Sequence, residues 1–311
     1  MPADTAEQPI DRLVALPTGV ELRILDWSPL RSDRHAIDST WVLTHGLASN
    51  ARLWDGVAAR LARRGHHVVT VDQRGHGRSS KPAGPYDVPT CADDLAALVG
   101  ELGLDRPAVG GQSWGGNVVL EVGDRHPDLV DQVVCVDGGF IDLQSRFPEW
   151  EECRRALAPP KLAGTPLTQM QQWIERSHAD WPPEGTAATL ANFEVRDDGT
   201  VAPWLTPERH LLVLRGRWEH RPSERYPRMR VPVLMIGADT GDRSWSHSKH
   251  EAVDAALAAL PTGRAEFFVA HHDVHAQRPD EIAALLHAAS TDPAFYPTRP
   301  PEAATHPAGA S

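Results

Sequence analysis

Cysteine, long apolar stretches and clusters of basic residues are all scarce in this sequence. The three cysteines, Cys91, Cys135 and Cys153, cannot all pair, and their spacing is not that of a metal site. No apolar run approaches the roughly 20 residues that cross a bilayer. The first residues have neither the positive start nor the apolar centre of a signal peptide. We therefore expect a cytoplasmic protein that does not span a membrane.

The charge balance of the chain is acidic. Its 311 residues include 42 Asp and Glu against 31 Lys and Arg, which is a formal net charge of −11. A surface of this sign is repelled by phosphate backbones and anionic lipids, so we expect neither nucleic acid nor a membrane as a partner. Hydrophobic residues make up 41% of the chain, enough for a large buried core. The composition leaves a small molecule as the expected ligand and does not determine the oligomeric state.

Short runs of Val, Leu and Ile alternate with longer stretches of helical character. The later runs are almost continuously apolar, as in a parallel sheet that helices cover on both faces. The alternation predicts an α/β fold with an open, mostly parallel, doubly wound sheet of about eight strands. The predicted strands are Arg12–Leu16, Val20–Asp26, Thr40–Thr44, His67–Asp72, Pro107–Gly111, Gln132–Val136, Val231–Ile236 and Ala265–Val269. The predicted helices of this core are Leu53–Arg64, Val88–Leu102, Asn117–His126, His250–Leu260 and Pro279–His287.

One long interval interrupts this alternation. About 90 residues separate the strand ending at Val136 from the one starting at Val231, whereas structureless connections rarely exceed about 15 residues. Helical segments at Glu149–Leu157 and Leu167–Ala179 predict a helical cap over the end of the sheet. The predicted domains are a core of residues 1–138 and 231–290, a cap of residues 139–230, and a proline-rich, extended or disordered tail of residues 291–311.

A sharp strand-to-helix turn is predicted at Gly111-Gln112-Ser113-Trp114-Gly115. The segment has the pattern G-x-S-x-G, and it follows the predicted strand Pro107–Gly111 and precedes a helix. On such a turn the serine is held in a strained conformation with its hydroxyl exposed, and the glycines let strand and helix approach closely. Ser113 is therefore the candidate nucleophile.

The segment Thr44-His45-Gly46-Leu47 comes directly after the predicted strand Thr40–Thr44. A His-Gly pair at this place typically turns the chain so that the next N–H points into the site. The backbone N–H groups of Leu47 and Trp114 are therefore the candidate oxyanion hole for a tetrahedral intermediate.

A third segment, Asp72–Ser79, has the pattern D-x-R-G-x-G-x-S and lies between the other two. No helix-opening G-x-x-G of a nucleotide site follows its glycines, so it is predicted to be a structural turn. With these three segments the chain resembles the α/β-hydrolase superfamily over roughly Arg12–Ala288, apart from the cap. The resemblance implies an α/β-hydrolase fold and a triad of serine, acid and histidine.

The superfamily places its catalytic histidine after the last strand, here within His271–Pro279. Its usual pattern there is G-H-x-x-H-x-x-x-P. Aligned on the proline, this pattern implies that His272 is the general base and that His275 is the second histidine, while His271 stands where glycine is usual. An alternative is a metal site made by the three histidines and Asp273, although neighbours on one short loop seldom converge on one ion.

The acid of the triad is the least determined member. In the superfamily it usually follows the seventh strand, here Val231–Ile236, but the common spacing falls on Thr240. Asp239 is the nearest carboxylate and the expected partner of the imidazole. Asp242 is a second candidate. Asp137 is a third, because some members carry the acid after the sixth strand.

These roles imply a serine hydrolase that cleaves a carboxylic ester or lactone through an acyl-enzyme on Ser113, without a cofactor or metal. Serine at this position disfavours epoxide hydrolases and haloalkane dehalogenases, whose nucleophile in this superfamily is aspartate. The tryptophans of the cap favour a bulky, largely apolar substrate. Alternatives are a lyase, a perhydrolase or a C–C bond hydrolase with the same triad, and a ligand-binding receptor on the same scaffold.

Overall fold

The computed structural model describes residues 8–29, 39–241 and 243–297, side chains excepted at residues 243–245. Within these residues the strands are β1 (Ile10–Ala15), β2 (Glu21–Trp27), β3 (Thr40–Thr44), β4 (His67–Val71), β5 (Ala108–Gln112), β6 (Val133–Val136), β7 (Thr165–Pro166), β8 (Phe193–Val195), β9 (Thr200–Pro203), β10 (Val233–Asp239) and β11 (Gly263–Val269). The α-helices are α1 (Asp55–Arg63), α2 (Val88–Glu101), α3 (Trp114–Arg125), α4 (Leu143–Arg146), α5 (Trp150–Leu157), α6 (Leu167–Ser177), α7 (Pro183–Leu190), α8 (Pro207–Glu219), α9 (Arg243–Ala259), α10 (Val274–Gln277) and α11 (Pro279–Thr291). Single 3₁₀ turns cover Ala51–Trp54, Pro222–Glu224 and Tyr226–Arg228. None of the described helices is long and apolar enough to cross a membrane.

Eight strands form one sheet in the order β1-β2-β4-β3-β5-β6-β10-β11. Strand β2 runs antiparallel to both of its neighbours, and the other five strand pairs are parallel. The predicted mostly parallel α/β sheet is confirmed, and each predicted strand is present with its ends within three residues. The carboxyl ends of the parallel strands meet at one edge, where ligands bind in sheets of this kind.

Apolar side chains fill both faces of the sheet. One buried cluster lies under α2, α3 and α9 and includes Leu95, Val118 and Val253. The other lies under α1 and α11 and includes Val57 and Ile282. Because successive strand residues point to opposite faces, near-continuous apolar strands supply both clusters. The loops at the carboxyl edge are thus carried by a rigid, doubly covered sheet.

The segment between β6 and β10 differs from the predicted helical cap in one respect. Besides helices α4 to α8 it contains a three-stranded antiparallel sheet in the order β7-β9-β8. Strands β8 and β9 are joined by a tight turn in which Gly199 has φ +78° and the Asp198 carboxylate accepts the N–H of Thr200. Strands of two to four residues are too short for a period-2 pattern to show in the sequence.

The start of the predicted extended tail is packed on the core instead. Helix α11 ends at Thr291, and Phe295 is buried under the guanidinium of Arg264, 4.3 Å from its ring centre. The Tyr296 hydroxyl donates to Gln132 Oε1 over 2.6 Å. Two aromatic side chains supply enough buried area to order this stretch, which the count of prolines does not reveal. Residues 298–311 of that prediction lie outside the described residues.

Candidate active site

Ser113 and Asp137 lie side by side at the carboxyl edge of the sheet. Gln112, the last residue of β5, pairs with Val136, the last residue of β6. Ser113 and Asp137 are the next residues after these two strands. The backbone N–H of Ser113 donates to Val136 O over 2.8 Å, and that of Asp137 donates to Ile236 O over 2.7 Å. The register of two parallel strands therefore brings a hydroxyl and a carboxylate to one edge.

The backbone of Ser113 is strained, as the sequence predicted for a strand-to-helix turn. Its φ of +52° with ψ of −116° lies outside the regions that non-glycine residues favour. Glycines make room for this conformation, because a Cβ on Gly111 would overlap the carbonyl of Gly115 and a Cβ on Gly138 would overlap that of Ser113. The serine is 5% exposed.

His272 contacts Asp137. Its Nδ1 lies 2.5 Å from Asp137 Oδ2, and its side chain is 54% exposed while the carboxylate is fully buried. The Gln112 side-chain amide donates to the backbone carbonyl of His272 over 3.2 Å, which ties the histidine loop to the turn that carries Ser113. An Nδ1–H bound to a carboxylate leaves Nε2 as the basic nitrogen of the ring.

The expected contact between Asp239 and His272 is absent, which corrects the preferred sequence assignment. Asp239 instead receives bonds from the Ser246 hydroxyl and from Gly241 N, the latter over 2.7 Å. Strand β10 continues for three residues past Ile236, the partner of Val136. At about 3.3 Å per residue, this extension takes Asp239 about 10 Å beyond the end of β6. Asp242, the second candidate, lies outside the described residues.

A lysine that the sequence analysis did not single out completes the surroundings of Asp137. Lys249 Nζ, from α9, lies 2.7 and 2.8 Å from the two carboxylate oxygens and also donates to Ala238 O. The N–H of Ala238 donates to Asp137 Oδ1 over 3.0 Å. Burial raises the pKa of Asp137, but the bond from His272 and the charges of His272 and Lys249 lower it further, so the net pKa is below its usual value. The carboxylate is therefore ionised at neutral pH.

Leu47 and Trp114, the candidate oxyanion-hole residues, lie close to the serine. Trp114 opens α3, so its N–H has no partner within the helix. A Cβ placed on Gly46 would come within 3.0 Å of Ser113 Cβ, which shows how near the chain before Leu47 runs. Among the described residues no group accepts the N–H of Leu47 or of Trp114. Two unpaired donors therefore flank the hydroxyl.

Two buried histidines hold the loop before the candidate oxyanion hole. His45 Nε2 accepts the N–H of Gln73 over 3.0 Å, and His76 Nε2 accepts the N–H of Ala48 over 3.3 Å. The His76 ring lies between His45 and Trp114, with ring centres 4.8 and 5.2 Å away. Burial lowers the pKa of both imidazoles, so they act as neutral acceptors that position backbone.

The Asp72–Ser79 segment forms a hydrogen-bonded turn. The Asp72 carboxylate accepts the N–H of Ala51 over 2.7 Å and that of Arg78 over 3.0 Å. A Cβ on Gly77 would overlap the same carboxylate. These contacts join the turn to the chain that follows the oxyanion loop, and they use the aspartate for backbone support.

The three histidines of the last loop point to different surroundings. His275 is fully buried with its ring centre 4.3 Å from that of Trp54, and burial lowers its pKa to about 3. The backbone N–H of His271 donates to Gln277 Oε1. Throughout the described part of the chain, no three His, Cys, Asp or Glu side chains come together as metal ligands.

The cap is fastened to the helix that follows the serine. His220 comes directly after α8. Its Nδ1 lies 3.0 Å from Asn117 Nδ2, and its Nε2 lies 3.0 Å from Glu121 Oε2. Earlier on α8, Leu214 belongs to a buried cluster with Cys153 against which Leu47 packs. Helix α8 and the residue after it thus reach from the oxyanion loop to the first two turns of α3, the two segments next to Ser113 in the candidate site.

The cap tryptophans do not form one wall over the serine. Trp150 and Trp218 pack on each other with ring centres 6.0 Å apart, and Trp204 lies under the ammonium of Lys81. Trp173 is 50% exposed, whereas Trp181 is buried. Trp150 and Trp218 thus pack within the cap, whereas Trp181 and Trp204 contact residues of the core. The expectation of a bulky, largely apolar substrate stays a prediction.

Comparison with known proteins agrees with this geometry. Residues 42–260, well over half of the chain, match the family model described as the alpha/beta hydrolase fold. A 2-(acetamidomethylene)succinate hydrolase of Mesorhizobium japonicum is 37% identical over 93 residues, which are 30% of this chain and 33% of that protein. A putative carbamate hydrolase of Caulobacter segnis is 38% identical over 99 residues, 31% of this chain and 37% of that protein. The chain spans about a third of the length of the curated relatives it matches.

Solved structures extend the similarity to nearly the whole chain. The crystal structure of an E-2-(acetamidomethylene)succinate hydrolase superposes with a TM-score of 0.69 over 89% of this chain and 97% of that one, at 20% identity. The enol-lactonase of Burkholderia xenovorans superposes with a TM-score of 0.61 over 88% of this chain and 98% of that one, also at 20% identity. At this identity the likeness concerns the fold, and together with the family match it leads to one conclusion: the chain belongs to the α/β-hydrolase fold family.

Proposed function

We propose that this protein is a serine hydrolase that cleaves a carboxylic ester or lactone of a small molecule through an acyl-enzyme on Ser113. One observation carries the proposal: a strained serine at the end of β5 lies beside a buried aspartate that binds the imidazole of His272. A serine hydroxyl, an oriented base and an ionised carboxylate are the parts that acyl transfer needs.

In the proposed reaction His272 Nε2 accepts the proton of Ser113 Oγ as the oxygen attacks the carbonyl carbon. The carbonyl oxygen becomes an oxyanion held by the N–H groups of Leu47 and Trp114, which have no acceptor among the described residues. The imidazolium then protonates the departing alcohol, and an acyl-enzyme remains. Water, activated by the same nitrogen, hydrolyses the acyl-enzyme and restores the serine.

Asp137 holds the imidazole in the tautomer that leaves Nε2 basic, and it stabilises the imidazolium as it forms. The bond to His272 and, after it, the contact of Lys249 with both carboxylate oxygens lower the pKa of Asp137, which therefore remains ionised although it is fully buried. Lys249 acts through Asp137 and is a positioning residue. The Lys249 cation holds the carboxylate in place while the histidine on its other side changes from neutral to charged.

A second candidate is the hydrolysis of an amide or carbamate bond. The names of two relatives, a 2-(acetamidomethylene)succinate hydrolase and a putative carbamate hydrolase, favour it. The serine, base and oxyanion donors serve esters and amides alike, and the two differ in how strongly the leaving nitrogen must be protonated. Esters remain the first choice because their alcohol leaves more readily.

The test combines covalent labelling with turnover. A fluorophosphonate should label the protein at Ser113, and p-nitrophenyl acetate should be hydrolysed over many cycles. Ser113→Ala should abolish labelling and lower turnover by about 10³- to 10⁶-fold. Ser290→Ala is the matched control, since that hydroxyl bonds only carbonyls within α11.

Three results would contradict the proposal in different ways. Undiminished turnover by Ser113→Ala would remove the serine from the mechanism. Labelling without multiple turnover of any ester or amide would favour a lyase or a receptor. Loss of activity with EDTA and its return with zinc would favour the metal interpretation of the histidine loop.

A further inference from the structure

Arg217, on the cap helix α8, has no partner for its charge among the residues that the structure describes. Its Nε atom is inaccessible to solvent and makes no hydrogen bond, and among the described residues none forms an ion pair with this side chain. Burial lowers its pKa, an effect that the nearby Cys153 and Asp137 oppose only in part. The side chain as a whole is half-buried. An unpaired, partly buried guanidinium is costly, because the protein does not replace the hydration that it loses.

The other arginines near the end of α8 are paired. Arg215 binds Glu219 over 2.5 Å, and Arg221 binds Asp142 over 3.0 Å. Arg209, at the start of α8, has no carboxylate partner but donates to the carbonyls of Lys81 and Pro82 over 3.0 and 3.5 Å. Among the described arginines of this helix, Arg217 is therefore the one whose side chain makes neither an ion pair nor a hydrogen bond.

The helix geometry directs Arg217 toward the candidate active site. Residues three apart on a helix share a face with Cβ atoms about 5–6 Å apart. Leu214, three residues before Arg217, belongs to the cluster against which Leu47 of the oxyanion loop packs. His220, three residues after it, binds Asn117 in the first turn of α3. Arg217 thus lies between two contacts that flank Ser113.

Neither nearby acidic group supplies the missing charge. Burial raises the pKa of Cys153, so its thiol is neutral. Asp137 already binds His272 and Lys249 through its two oxygens. None of the described residues thus provides an anion for this guanidinium, and a ligand can provide it.

The opposite side of the site has a different character. Asp273 follows His272 in the chain, and burial raises the pKa of its carboxyl. Arg217 is the cation that attracts an anionic ligand group, so the place of that group is under α8. The leaving group departs beside His272, which protonates it, and the acyl part extends away from it toward the oxyanion loop and α8.

We propose that Arg217 binds a carboxylate on the acyl part of the substrate, so that the preferred substrates are short esters whose acyl chain ends in a carboxylate. This proposal rests on the proposed function and adds the substrate class to it. A planar guanidinium can bind a carboxylate with two parallel hydrogen bonds. The carboxylate would at once fix the acyl chain and neutralise the buried charge.

The experiment compares two esters that differ only in charge, mono-p-nitrophenyl glutarate and its methyl-capped diester, with enzyme-free rates subtracted. The wild-type kcat/KM should favour the acid ester by about 10- to 100-fold, mainly through KM. In Arg217→Met this preference should disappear. Arg217→Lys should restore part of it, because the charge returns without the paired geometry. Arg215→Gln, a change on the same helix at a paired arginine, should retain the wild-type preference.

Stability and binding separate this proposal from its alternatives. Because Arg217→Met removes an unpaired, partly buried charge, its Tm should be unchanged or higher. A lower Tm together with equal losses of kcat/KM on both esters would show that Arg217 is structural, and it would overturn the proposal. No wild-type preference between the esters would overturn it while the proposed function stands. Glutarate binding to Ser113→Ala, measured by calorimetry, should vanish in Ser113→Ala/Arg217→Met. If no ester is turned over but this binding depends on Arg217, the proposed hydrolysis fails and the carboxylate site stands.

Discussion

Asp137 combines three properties that suit the acid of a triad. It is fully buried, it binds His272 Nδ1, and Lys249 contacts both of its oxygens. Its φ of +43° is one that aspartate tolerates better than most residues, because the short carboxylate can bond to nearby backbone. Here that bond is the one from Ala238 N. The side chain is thus oriented by its own backbone conformation as well as by its partners.

Replacing each aspartate in turn should show whether Asp137 or Asp239 is the acid of the triad. Asp137→Asn should lower kcat by about 10⁴-fold, because the amide presents its NH₂ group to Nδ1 and favours the wrong tautomer. Asp239→Asn should change kcat by less than about tenfold, since that carboxylate bonds to Ser246 and Gly241 and not to the imidazole. The measurement is kcat for both variants, with circular dichroism to verify folding. A crippled Asp239→Asn beside an active Asp137→Asn would reverse the assignment.

At the scale of elements, the strand-to-helix turn depends on close backbone packing. A Cβ on Gly116 of α3 would clash with the backbone of Gly138 at 2.8 Å, and a Cβ on Gly138, after β6, would clash with the Ser113 carbonyl oxygen. Gly139 adds a φ of +73° to this contact. The glycines are therefore required by the approach of β6 to α3, which brings Asp137 beside Ser113.

Two Gly→Ala substitutions compare a glycine in this close contact with a glycine at an open position of a helix. Gly138→Ala should destabilise the fold and lower activity on every ester, because its methyl group would overlap the Ser113 carbonyl and shift the nucleophile. Gly100→Ala, inside α2 with nothing within 4 Å, should stabilise the protein by about 0.5–1 kcal/mol. Urea denaturation and kcat/KM measure both effects. An active Gly138→Ala protein with unchanged stability would show that the turn can relax.

At the scale of the whole molecule, a buried network joins cap and core. Glu121 on α3 accepts from His220 and from Arg225, which follow the last cap helix. Burial raises the pKa of Glu121, but the bonds from His220 and Arg225 lower it to about 2 from the usual 4.5. Because the folded-state pKa is the lower one, this stabilisation is complete above about pH 4.5 and is lost as the pH falls toward about 2.

Acid should therefore loosen the attachment of the cap. When the pH falls from about 6 to about 3, protonation of Glu121 should lower the unfolding free energy of the wild type by about 2 kcal/mol. Glu121→Gln should be less stable near neutral pH and should lose correspondingly less over the same interval. Glu224→Gln, which alters a more exposed partner of Arg225, should follow the wild-type pH dependence. Parallel curves for wild type and Glu121→Gln would show that the group does not carry this linkage.

The sequence alone determined the sheet, the serine turn and the histidine loop of this protein. Each depends on neighbouring residues: an apolar run makes a strand, and Gly111, Ser113 and Gly115 make the turn whatever lies elsewhere. Helix α8 also had a local signal that was missed, since Thr206 caps it and Pro207 follows at the first helical position. Such features can be predicted because the physics that produces them is short-range.

Tertiary structure alone decided which aspartate meets the imidazole, and which cations surround it. Asp137 and Asp239 are both carboxylates at strand ends, and only the longer run of β10 past β6 takes Asp239 out of reach. Lys249 and Arg217 look like ordinary helix residues in the sequence. One becomes the partner of Asp137 and the other an unpaired charge because of how α9 and α8 pack on the sheet edge. These contacts join residues about a hundred positions apart, so no local pattern carries them.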